Sequence, residues 1–397
     1  MIDFELSKRE KIVQKMANEV ARNYLRPIAR YYDEYEHEHE DIKEKEEIKK
    51  QRTSVDLKAM ALKQEMGGEE AGIDLAGMIP YEEYNWGDAG ISLGASAMGL
   101  GNAAILAVAT PEQQQRFGNK YTAMAITEPG AGSDTAAIQA TAKLDPETNE
   151  WILNGEKIFV TAADRCEAVV VWASLDRSKG RPAIKSFVVE KGTPGFTLTK
   201  LEDKLGIRAS DTGSFSMEDC RIPYDNILGT PEIKVRSGGF KGVMKTFDLT
   251  RPIIALQAIG VARAALDFTK EKLEEAGYTF PYDRPLNEIT VLQKTILDME
   301  VNLDVARLLS WRAVAIMNKG QRNSLEASMA KAKAGRSATL VTQKCVELLG
   351  PLGYSRDWLV EKWMRDCKIT DLFEGTGQIQ ALIIARNILN FSRDMLK

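Results

Sequence analysis

The middle of the chain has the residue pattern of strands, whereas both flanks have that of helices, and this change limits the possible folds. Between about residues 119 and 235, runs such as AVVVWA (168–173) and SFVVE (186–190) are rich in β-branched residues and are punctuated by glycine and proline. Residues 5–115 and the stretch after about 240 carry apolar residues at helical spacing instead. We therefore predict three domains in the order helices, sheet, helices. Their predicted bounds are 1–118, 119–235 and 236–397.

Local signals predict several element boundaries. The turn sequence DPETN (145–149), directly before Trp151, predicts a β-hairpin. Three C-terminal helices are each expected to stop at a glycine, with predicted spans of 252–276, 286–319 and 324–349. The last helix is expected to begin near Gly377. A run of mixed charge, 33–52, is interpreted as either a solvated helix face or a mobile segment.

Composition narrows the class of protein. With 397 residues, the chain is long enough to bury a large core and to divide into two or three domains. A net charge of −4 offers no electrostatic reason to expect binding to nucleic acid or to an anionic membrane. We expect no membrane span, because no apolar stretch approaches the length that a bilayer requires. The acidic N-terminus is unlike a signal or transit peptide, so a cytoplasmic protein is expected.

Few residues suited to metal binding or to histidine chemistry are present. The four cysteines lie far apart and form no CxxC pair, which argues against a zinc site or a disulfide framework. The two histidines, His37 and His39, lie in the tract YEHEHE (35–40), which is interpreted as a solvated polar helix, with metal binding as the alternative. No metal site is therefore expected. Catalysis, if any, must use carboxylates or a cofactor.

The segment LFEGTGQIQ (372–380) places a carboxylate on a glycine-rich turn before an apolar helix. Gly375 allows the backbone to bend or to approach a ligand, and Thr376 is suited to cap the helix that follows. The helix N-terminus offers free N–H groups and a positive dipole end to a phosphate or a developing oxyanion. Glu374 is thus a candidate base, although a carboxylate in a turn is most often an ordinary solvated residue.

A second glycine-rich segment, AITEPGAGSD (125–134), follows a predicted strand. Its glycines and small polar residues would let backbone N–H groups approach an anionic or planar ligand closely. Taken alone, the segment is more simply interpreted as a tight structural turn. Both interpretations are kept open on these residues alone.

These two segments belong to a series of motifs. TEPGAGSD (127–134), KIFVT (157–161), KLGIR (204–208), DLTRP (248–252) and FEGTGQIQ (373–380) occur in an order and spacing that resemble the acyl-CoA dehydrogenase family over roughly residues 85–397. The resemblance implies an α+β fold with an N-terminal helical domain, a middle antiparallel β-domain and a C-terminal four-helix bundle. It agrees with the three blocks identified from residue patterns.

The resemblance also implies a reaction. Members of the family carry out α,β-dehydrogenation of an acyl-CoA thioester with bound FAD: a carboxylate removes the α-proton while the β-hydride passes to the flavin. Glu374 matches the family's usual base, and its backbone N–H is expected to help polarise the thioester carbonyl. Some members carry the base before the arginine of the 248–252 motif instead. That position is Thr250 here, and a threonine cannot act as a base near neutral pH.

Further roles are carried over residue by residue. Ile126 and Thr127 match contacts to the flavin ring, and Phe159 and Thr161 match residues that cover its other side. The remaining positions expected to bind the cofactor are Ser133, Arg284, Gln293, Glu347, Gly350, Thr376 and Gln378. The positions expected to bind or order the substrate are Ser133, Asp248, Arg251 and Gly375. For Asp248 and Arg251, a simple ion pair at a helix start is the alternative.

Departures from the family pattern concern the adenosine half of FAD. The usual Arg-x-x-Phe-Gly segment is replaced by 277–286, in which Arg284 is a candidate substitute. Glu347 stands where the family has glutamine, which places a negative charge near a diphosphate unless a cation compensates. Pro351 replaces a glycine, which removes an N–H and fixes φ.

Several functions remain compatible with these residues. The leading expectation is an acyl-CoA dehydrogenase, a homotetramer that passes electrons to an electron-transferring flavoprotein. The alternatives on the same fold are a subunit of a heteromeric (heterotetrameric) dehydrogenase, an acyl-CoA oxidase and an enoyl-CoA reductase. A CoA-binding protein without catalytic activity is the alternative outside enzymes.

Overall fold

The computed structural model describes residues 5–36, 44–65, 75–96, 98–233, 240–391 and 395. His37 and His39 lie outside this part of the chain, so neither interpretation of that tract is addressed. Among the described residues, no group of three or more histidine, cysteine or acidic side chains is arranged to hold a metal ion.

Helices flank a central run of seven strands, as the residue pattern predicts. The helices in chain order are α1 (Lys8–Val20), α2 (Ala29–Glu34), α3 (Lys45–Glu65), α4 (Ile79–Gly87), α5 (Ala89–Gly94), α6 (Leu100–Val108), α7 (Pro111–Phe117), α8 (Phe240–Glu275), α9 (Val291–Asn318), α10 (Ser324–Leu349), α11 (Pro351–Tyr354), α12 (Val360–Lys368) and α13 (Gly377–Leu389). The strands are β1 (Thr122–Ala125), β2 (Thr141–Asp145), β3 (Glu150–Thr161), β4 (Ala168–Ser174), β5 (Ile184–Glu190), β6 (Phe196–Leu201) and β7 (Thr212–Pro223).

The chain divides into two compact units. The helical unit contains residues 1–95, 205–209 and 248–397, and the sheet unit contains residues 96–204 and 210–247. The predicted fold class is confirmed: helices precede and follow a mainly antiparallel sheet, and the C-terminal helices form the bundle. The three predicted domain bounds stay a prediction.

The C-terminal bundle is built around α10. This helix contacts α9, α12 and α13, and it shares a continuous apolar core with α8. Many of the core positions are alanines with no exposed surface, such as Ala262, Ala306, Ala334 and Ala338. Small side chains let helix axes approach closely, so buried charged groups on α10 can reach the backbone of neighbouring segments.

Helix α8 begins earlier than predicted. The sequence places its start at Pro252, whereas the structure has Pro252 inside a helix that begins at Phe240. A proline inside a helix leaves the carbonyl four residues earlier, that of Asp248, without its helical donor. The side-chain amide of Asn323 donates to this carbonyl at 3.1 Å, which compensates the loss. A local sequence pattern cannot indicate that a residue as distant as Asn323 supplies this hydrogen bond.

Helix α8 contains a long apolar segment that the sequence analysis does not predict. By length and composition, the segment Thr246–Glu275 of α8 is apolar enough to cross a bilayer, contrary to our prediction that no stretch approaches that length. However, 83% of its most apolar window is buried in the protein. Its apolar residues belong to the bundle core, for example Leu256, Ile259 and Val261. A core helix is hydrophobic on most sides for this reason.

The sheet has the strand order β1-β4-β2-β3-β7-β6. Strand β5 lies off this path and pairs with β4. The predicted hairpin is confirmed: β2 and β3 pair antiparallel, with Asp145 opposite Glu150. Two pairings are parallel, β1 with β4 and a single-residue contact between β2 and β4. The loop after β1 lies against β3, where the N–H of Ile158 donates to the carbonyl of Thr127 at 2.9 Å.

Part of the mixed-charge run is buried, contrary to the expectation of a solvated or mobile segment. Asp33 is 1% exposed and accepts hydrogen bonds from Arg365 on α12 and Arg30 on α2. Burial alone would raise the pKa of Asp33, but the hydrogen bonds and charges of Arg365, Lys362 and Arg30 lower it overall. A charge run cannot by itself indicate which of its members meets a buried partner.

Candidate functional site

The turn before α13 holds Glu374 in an uncommon backbone conformation. Glu374 has φ +59° and Gly375 has φ +92°. A Cβ at 375 would lie 2.5 Å from Nε2 of Gln380, so a side chain there would displace that amide. Thr376 then caps α13, since its hydroxyl accepts from the N–H of Ile379 at 3.4 Å. The expected turn and cap are therefore both present.

Three side chains from two helices surround the Glu374 carboxyl group. The hydroxyl of Thr250 on α8 donates to Oε2 of Glu374 at 2.7 Å. Arg251, the next residue of α8, and Lys331 of α10 both attract its negative charge. Burial raises the pKa of Glu374 above its usual value, and these three groups offset only part of that effect. A carboxylate with a raised pKa is a stronger base than an ordinary surface glutamate.

The carbonyl groups of the turn are also held. Nε2 of Gln380 donates to the carbonyl of Glu374 at 3.3 Å and to that of Gly375 at 3.0 Å. Nζ of Lys331 donates to the carbonyl of Gly375 at 2.6 Å. Among the described residues, no acceptor contacts the N–H of Glu374. This donor is thus available to a ligand, as the sequence comparison with the family expects.

Asp248 and Arg251, predicted to contact the substrate, are paired with each other. Nη1 of Arg251 donates to Oδ1 of Asp248 at 3.3 Å, and the hydroxyl of Ser324 donates to Oδ2 of Asp248. Burial raises the pKa of Asp248. The pair lies inside α8 rather than at a helix start, and Arg251 is only 2% exposed. It orders the α8 segment that also presents Thr250 to Glu374.

In the sheet unit, the loop after β1 is held by a buried ion pair. Lys157 of β3 has no exposed surface, and its Nζ donates to the Glu128 carboxylate at 2.7 Å and to the carbonyl of Ile126 at 3.1 Å. Glu128 also accepts from the backbone N–H groups of Gln139 and Ala140. Burial lowers the pKa of Lys157 to about 8 despite the attraction of Glu128. The pair fixes the backbone of Ile126 and Thr127 against β3.

Beside this loop, β3 presents an exposed aromatic ring. Phe159 has φ +57° and is 61% exposed, and it lies in an irregularity of the pairing between β3 and β7. Ile158 donates its N–H to the carbonyl of Thr127 at 2.9 Å. The structure thus places Ile126 and Thr127 beside β3, the strand that carries Phe159 and Thr161. Ser133 is exposed in the same loop.

Other predicted cofactor residues have local structural partners. Gln293 forms a capping box with Thr290 at the start of α9, and its Nε2 donates to the carbonyl of Thr279 at 2.7 Å. Glu347 pairs with Lys344 at 2.6 Å, so a cation compensates its charge, as the departure from the family pattern requires. Gly350 has φ +54° at the end of α10. Arg284 lies in the connection between α8 and α9, and among the described residues no hydrogen bond links it to Glu374.

Sequence reasoning missed three members of the Glu374 environment. Thr250 cannot act as a base, yet its hydroxyl donates to the carboxylate of Glu374. Lys331 is 0% exposed and Gln380 is 0% exposed, and both hold the turn. A lysine on the apolar face of a predicted helix was the one available signal, because lysine is almost never fully buried without a partner.

Comparison with known proteins identifies the family of this chain. Residues 7–125, 123–220 and 237–389 match the N-terminal, middle and C-terminal domains of acyl-CoA dehydrogenase. The mitochondrial short-chain specific acyl-CoA dehydrogenase of Mus musculus is 39% identical over 295 residues, which are 73% of this chain and 69% of that protein. The acryloyl-CoA reductase (NADH) of Anaerotignum propionicum is 32% identical, and the match covers 98% of this chain and 96% of the relative.

A solved structure of an acyl-CoA dehydrogenase has the same fold as this chain. Butyryl-CoA dehydrogenase from Megasphaera elsdenii superposes with a TM-score of 0.82 at 31% identity, over 98% of this chain and 100% of that one. The domain matches, the full-length relatives and the motif series that contains Glu374 all agree. The chain belongs to the acyl-CoA dehydrogenase family.

Proposed function

We propose that this chain catalyses the FAD-dependent α,β-dehydrogenation of an acyl-CoA thioester to the trans-2-enoyl-CoA, with Glu374 as the base that removes the α-proton. Family membership makes it an oxidoreductase that acts on acyl-CoA. The observation that supports the base assignment most directly is the Glu374 carboxyl group, whose pKa is raised by burial and which accepts a hydrogen bond from Thr250.

The environment of Glu374 suits proton removal. An α-proton of a thioester is weakly acidic, so the base must be stronger than a solvated carboxylate. Burial supplies this strength, while Thr250, Arg251 and Lys331 keep the ionised form accessible. Thr250 also fixes the orientation of the carboxylate, because it holds Oε2 and leaves Oε1 to approach the substrate.

The charge that develops on the thioester oxygen needs a donor. We propose the N–H of Glu374 for this role, because the turn directs both neighbouring carbonyls toward Gln380 and Lys331. A backbone donor held by a rigid turn needs little reorganisation when charge develops. The base and the oxyanion donor would then be parts of one residue.

The sheet-unit residues fit a planar ring. An exposed Phe159 ring next to the anchored backbone of Ile126 and Thr127 offers a stacking surface together with carbonyl and N–H groups. We propose that these residues, with Thr161, hold the isoalloxazine ring of FAD, the cofactor of this family. When bound, FAD supplies the acceptor for the β-hydride. Ser133 is proposed to order the cofactor and the CoA arm.

For the diphosphate and adenosine half of FAD, we propose Thr376, Gln378, Arg284, Gln293, Glu347 and Gly350. The N-terminus of α13 offers free N–H groups to a phosphate. The Lys344 pair removes the electrostatic objection to Glu347. Asp248, Arg251 and Gly375 are proposed to order the substrate side of the turn.

The proposed partners are an acyl-CoA and an electron-transferring flavoprotein, in a homotetramer or heterotetramer located in the cytoplasm. A structure from work on the electron transferring flavoprotein of Acidaminococcus fermentans is 32% identical to this chain, which is consistent with such a partner. The proposed domain bounds are 1–118, 119–235 and 236–397.

The reverse reaction is a second candidate. The acryloyl-CoA reductase relative matches nearly the whole chain, so enoyl-CoA reduction is compatible with the same residues. In that direction, protonated Glu374 would deliver the α-proton. Assays with a short saturated acyl-CoA plus an artificial electron acceptor, and with the enoyl-CoA plus NADH and an electron-transferring flavoprotein, would determine which direction the chain favours.

The base assignment is tested by Glu374→Gln. The amide keeps the size of the side chain but cannot accept the α-proton, so turnover and exchange of the α-proton with solvent deuterium should each fall by about 10³-fold or more. FAD content should remain that of the wild type. Glu275→Gln, at an exposed glutamate that pairs with Lys272, should leave both rates unchanged. Turnover at the wild-type rate in Glu374→Gln would refute the proposal.

A further inference from the structure

Lys331 is a buried cation to which the sequence motifs assign no role. It lies on α10, has no exposed surface, and places its Nζ 2.6 Å from the carbonyl oxygen of Gly375. Among the described residues, no carboxylate lies within ion-pair distance (4.0 Å) of this ammonium group. Its direct partner is therefore a neutral peptide group, the one between Gly375 and Thr376.

This arrangement is costly for structure alone. Burying an ammonium group is unfavourable, and burial lowers the pKa of Lys331 to about 8, although Asp371 and Glu374 attract its charge while Arg251 repels it. A glutamine already donates to the same carbonyl at 3.0 Å, so the hydrogen bond of Gly375 does not depend on the lysine. What only Lys331 adds on that side of the turn is a positive charge.

We propose that Lys331 is a positioning residue for Glu374: it holds the carbonyl of Gly375 so that the carboxylate and the N–H of Glu374 keep their orientation, and its charge stabilises the ionised base. This inference rests on the proposed role of Glu374. Two adjacent residues with positive φ are in a sparsely populated backbone conformation that surrounding contacts must maintain, and rotation of one peptide would redirect the donor N–H. The ammonium group opposes such a rotation.

Two measurable effects follow from removal of the charge. Glu374 would lose one of the three groups that favour its ionised form, so its pKa would rise further. Because Glu374 must be ionised to accept a proton, the acid limb of kcat/KM should move to higher pH. A misplaced base also slows the chemical step. We therefore expect kcat to fall by roughly 10- to 100-fold, with a smaller change in KM.

The test compares Lys331→Met, Lys331→Gln and Lys331→Arg with the wild type across pH. Methionine removes the charge and the donor, glutamine removes the charge but retains an N–H donor, and arginine retains both. We expect the acid limb to move to higher pH in the methionine and glutamine variants and to remain near its wild-type position in the arginine variant. Lys333→Met is the matched control, because Lys333 lies on the same helix and donates to Asn302 instead.

The outcomes separate this inference from the base assignment. If Glu374→Gln abolishes turnover while Lys331→Met and Lys331→Gln keep the wild-type kcat and acid limb, the role of Lys331 is refuted and the base assignment stands. If Glu374→Gln remains active, the proposed function itself fails. Circular dichroism and FAD content report folding for each variant. Should Lys331→Met fail to fold, the acid limb of Lys331→Gln, which retains a donor, decides the question.

Discussion

Glu374 is held between groups that act on its ionisation in opposite directions. Burial favours the protonated form, whereas the Thr250 hydroxyl, Arg251 and Lys331 favour the carboxylate. The balance leaves the pKa raised, which suits a base that must be ionised at working pH and still bind a proton strongly. Each of the three opposing groups is a separate means of shifting the pH dependence of activity.

Thr250→Val tests this balance at a single atom. The hydroxyl donates to Oε2 at 2.7 Å and so stabilises the ionised form. A hydrogen bond to a charged group contributes roughly 1.5–3 kcal/mol, and about 1.4 kcal/mol corresponds to one pH unit. The acid limb of kcat/KM should therefore move up by about one unit or more, with activity recovering at high pH.

The control for this variant is Thr269→Val. Thr269 is buried on the same helix, but its hydroxyl donates to the carbonyl of Ala265. This substitution should leave the acid limb unchanged. An acid limb that stays in place, or moves to lower pH, in Thr250→Val would contradict the assigned role of the hydroxyl.

At the scale of residues, the sequence indicates which residue types suit a turn or a cap, but not which distant side chains contact them. The turn at Gly375 and the cap at Thr376 are predictable because each requires a particular residue type. Thr250, Lys331 and Gln380 were not, because their role comes from contact across helices more than 40 residues away, or from a fold-back of α13 onto its own turn. For Thr250, the sequence shows only that its hydroxyl cannot act as a base, not that this hydroxyl donates to the carboxylate of Glu374.

At the scale of elements, the strands were predictable and the helix starts less so. Runs of β-branched residues between turn signals correspond to β4 and β5, and the hairpin turn joins β2 to β3. Pro252 predicts a helix start because proline is favoured in the first turn, but Asn323 supplies the missing donor and α8 continues through it. Helix α12 was not predicted at all. Its short amphipathic pattern carries two charged residues, Lys362 and Asp366, that pair with each other in the interior.

The loop after β1 should depend on the buried ion pair between β3 and Glu128. Lys157→Met would leave the Glu128 carboxylate buried with only its two backbone donors. Removing one partner of a buried pair typically costs about 3–5 kcal/mol, and we expect a loss of this order in the free energy of unfolding. Urea denaturation of the full chain, with FAD content as a second readout, would measure it.

Lys200→Met provides the comparison for the buried pair. Lys200 is exposed and pairs with Glu202 at 2.6 Å on the same sheet, so its removal should change stability little. Equal stability of Lys157→Met and Lys200→Met would show that the buried pair does not hold the loop. A second substitution, Glu128→Gln, added to Lys157→Met should recover part of the loss, because it removes the unpaired charge.

At the scale of the whole molecule, each compact unit contains its own group of family residues. The helical unit presents Glu374 with Thr250 and Lys331, and the sheet unit presents Phe159 with Ile126 and Thr127. The order of the motifs does not predict that the two helical segments belong to one compact unit. Their separate geometry could not be predicted, since it depends on the buried lysine in each unit.

A homogeneous preparation of this chain should bind one FAD per chain without a second kind of subunit. The sequence departs from the family pattern at 277–286 and at Glu347, which are expected to lie near the adenosine half of FAD. Residues of this chain contact both regions: Lys344 pairs with Glu347, and Gln293 donates to the carbonyl of Thr279. Ligand binding to the folded state stabilises it by about 2.7 kcal/mol at 100 times Kd. The unfolding temperature should therefore rise with added FAD, and rise less with FMN, which lacks the adenosine half. A purified chain that binds neither flavin until a different subunit is added would instead establish the heteromeric alternative.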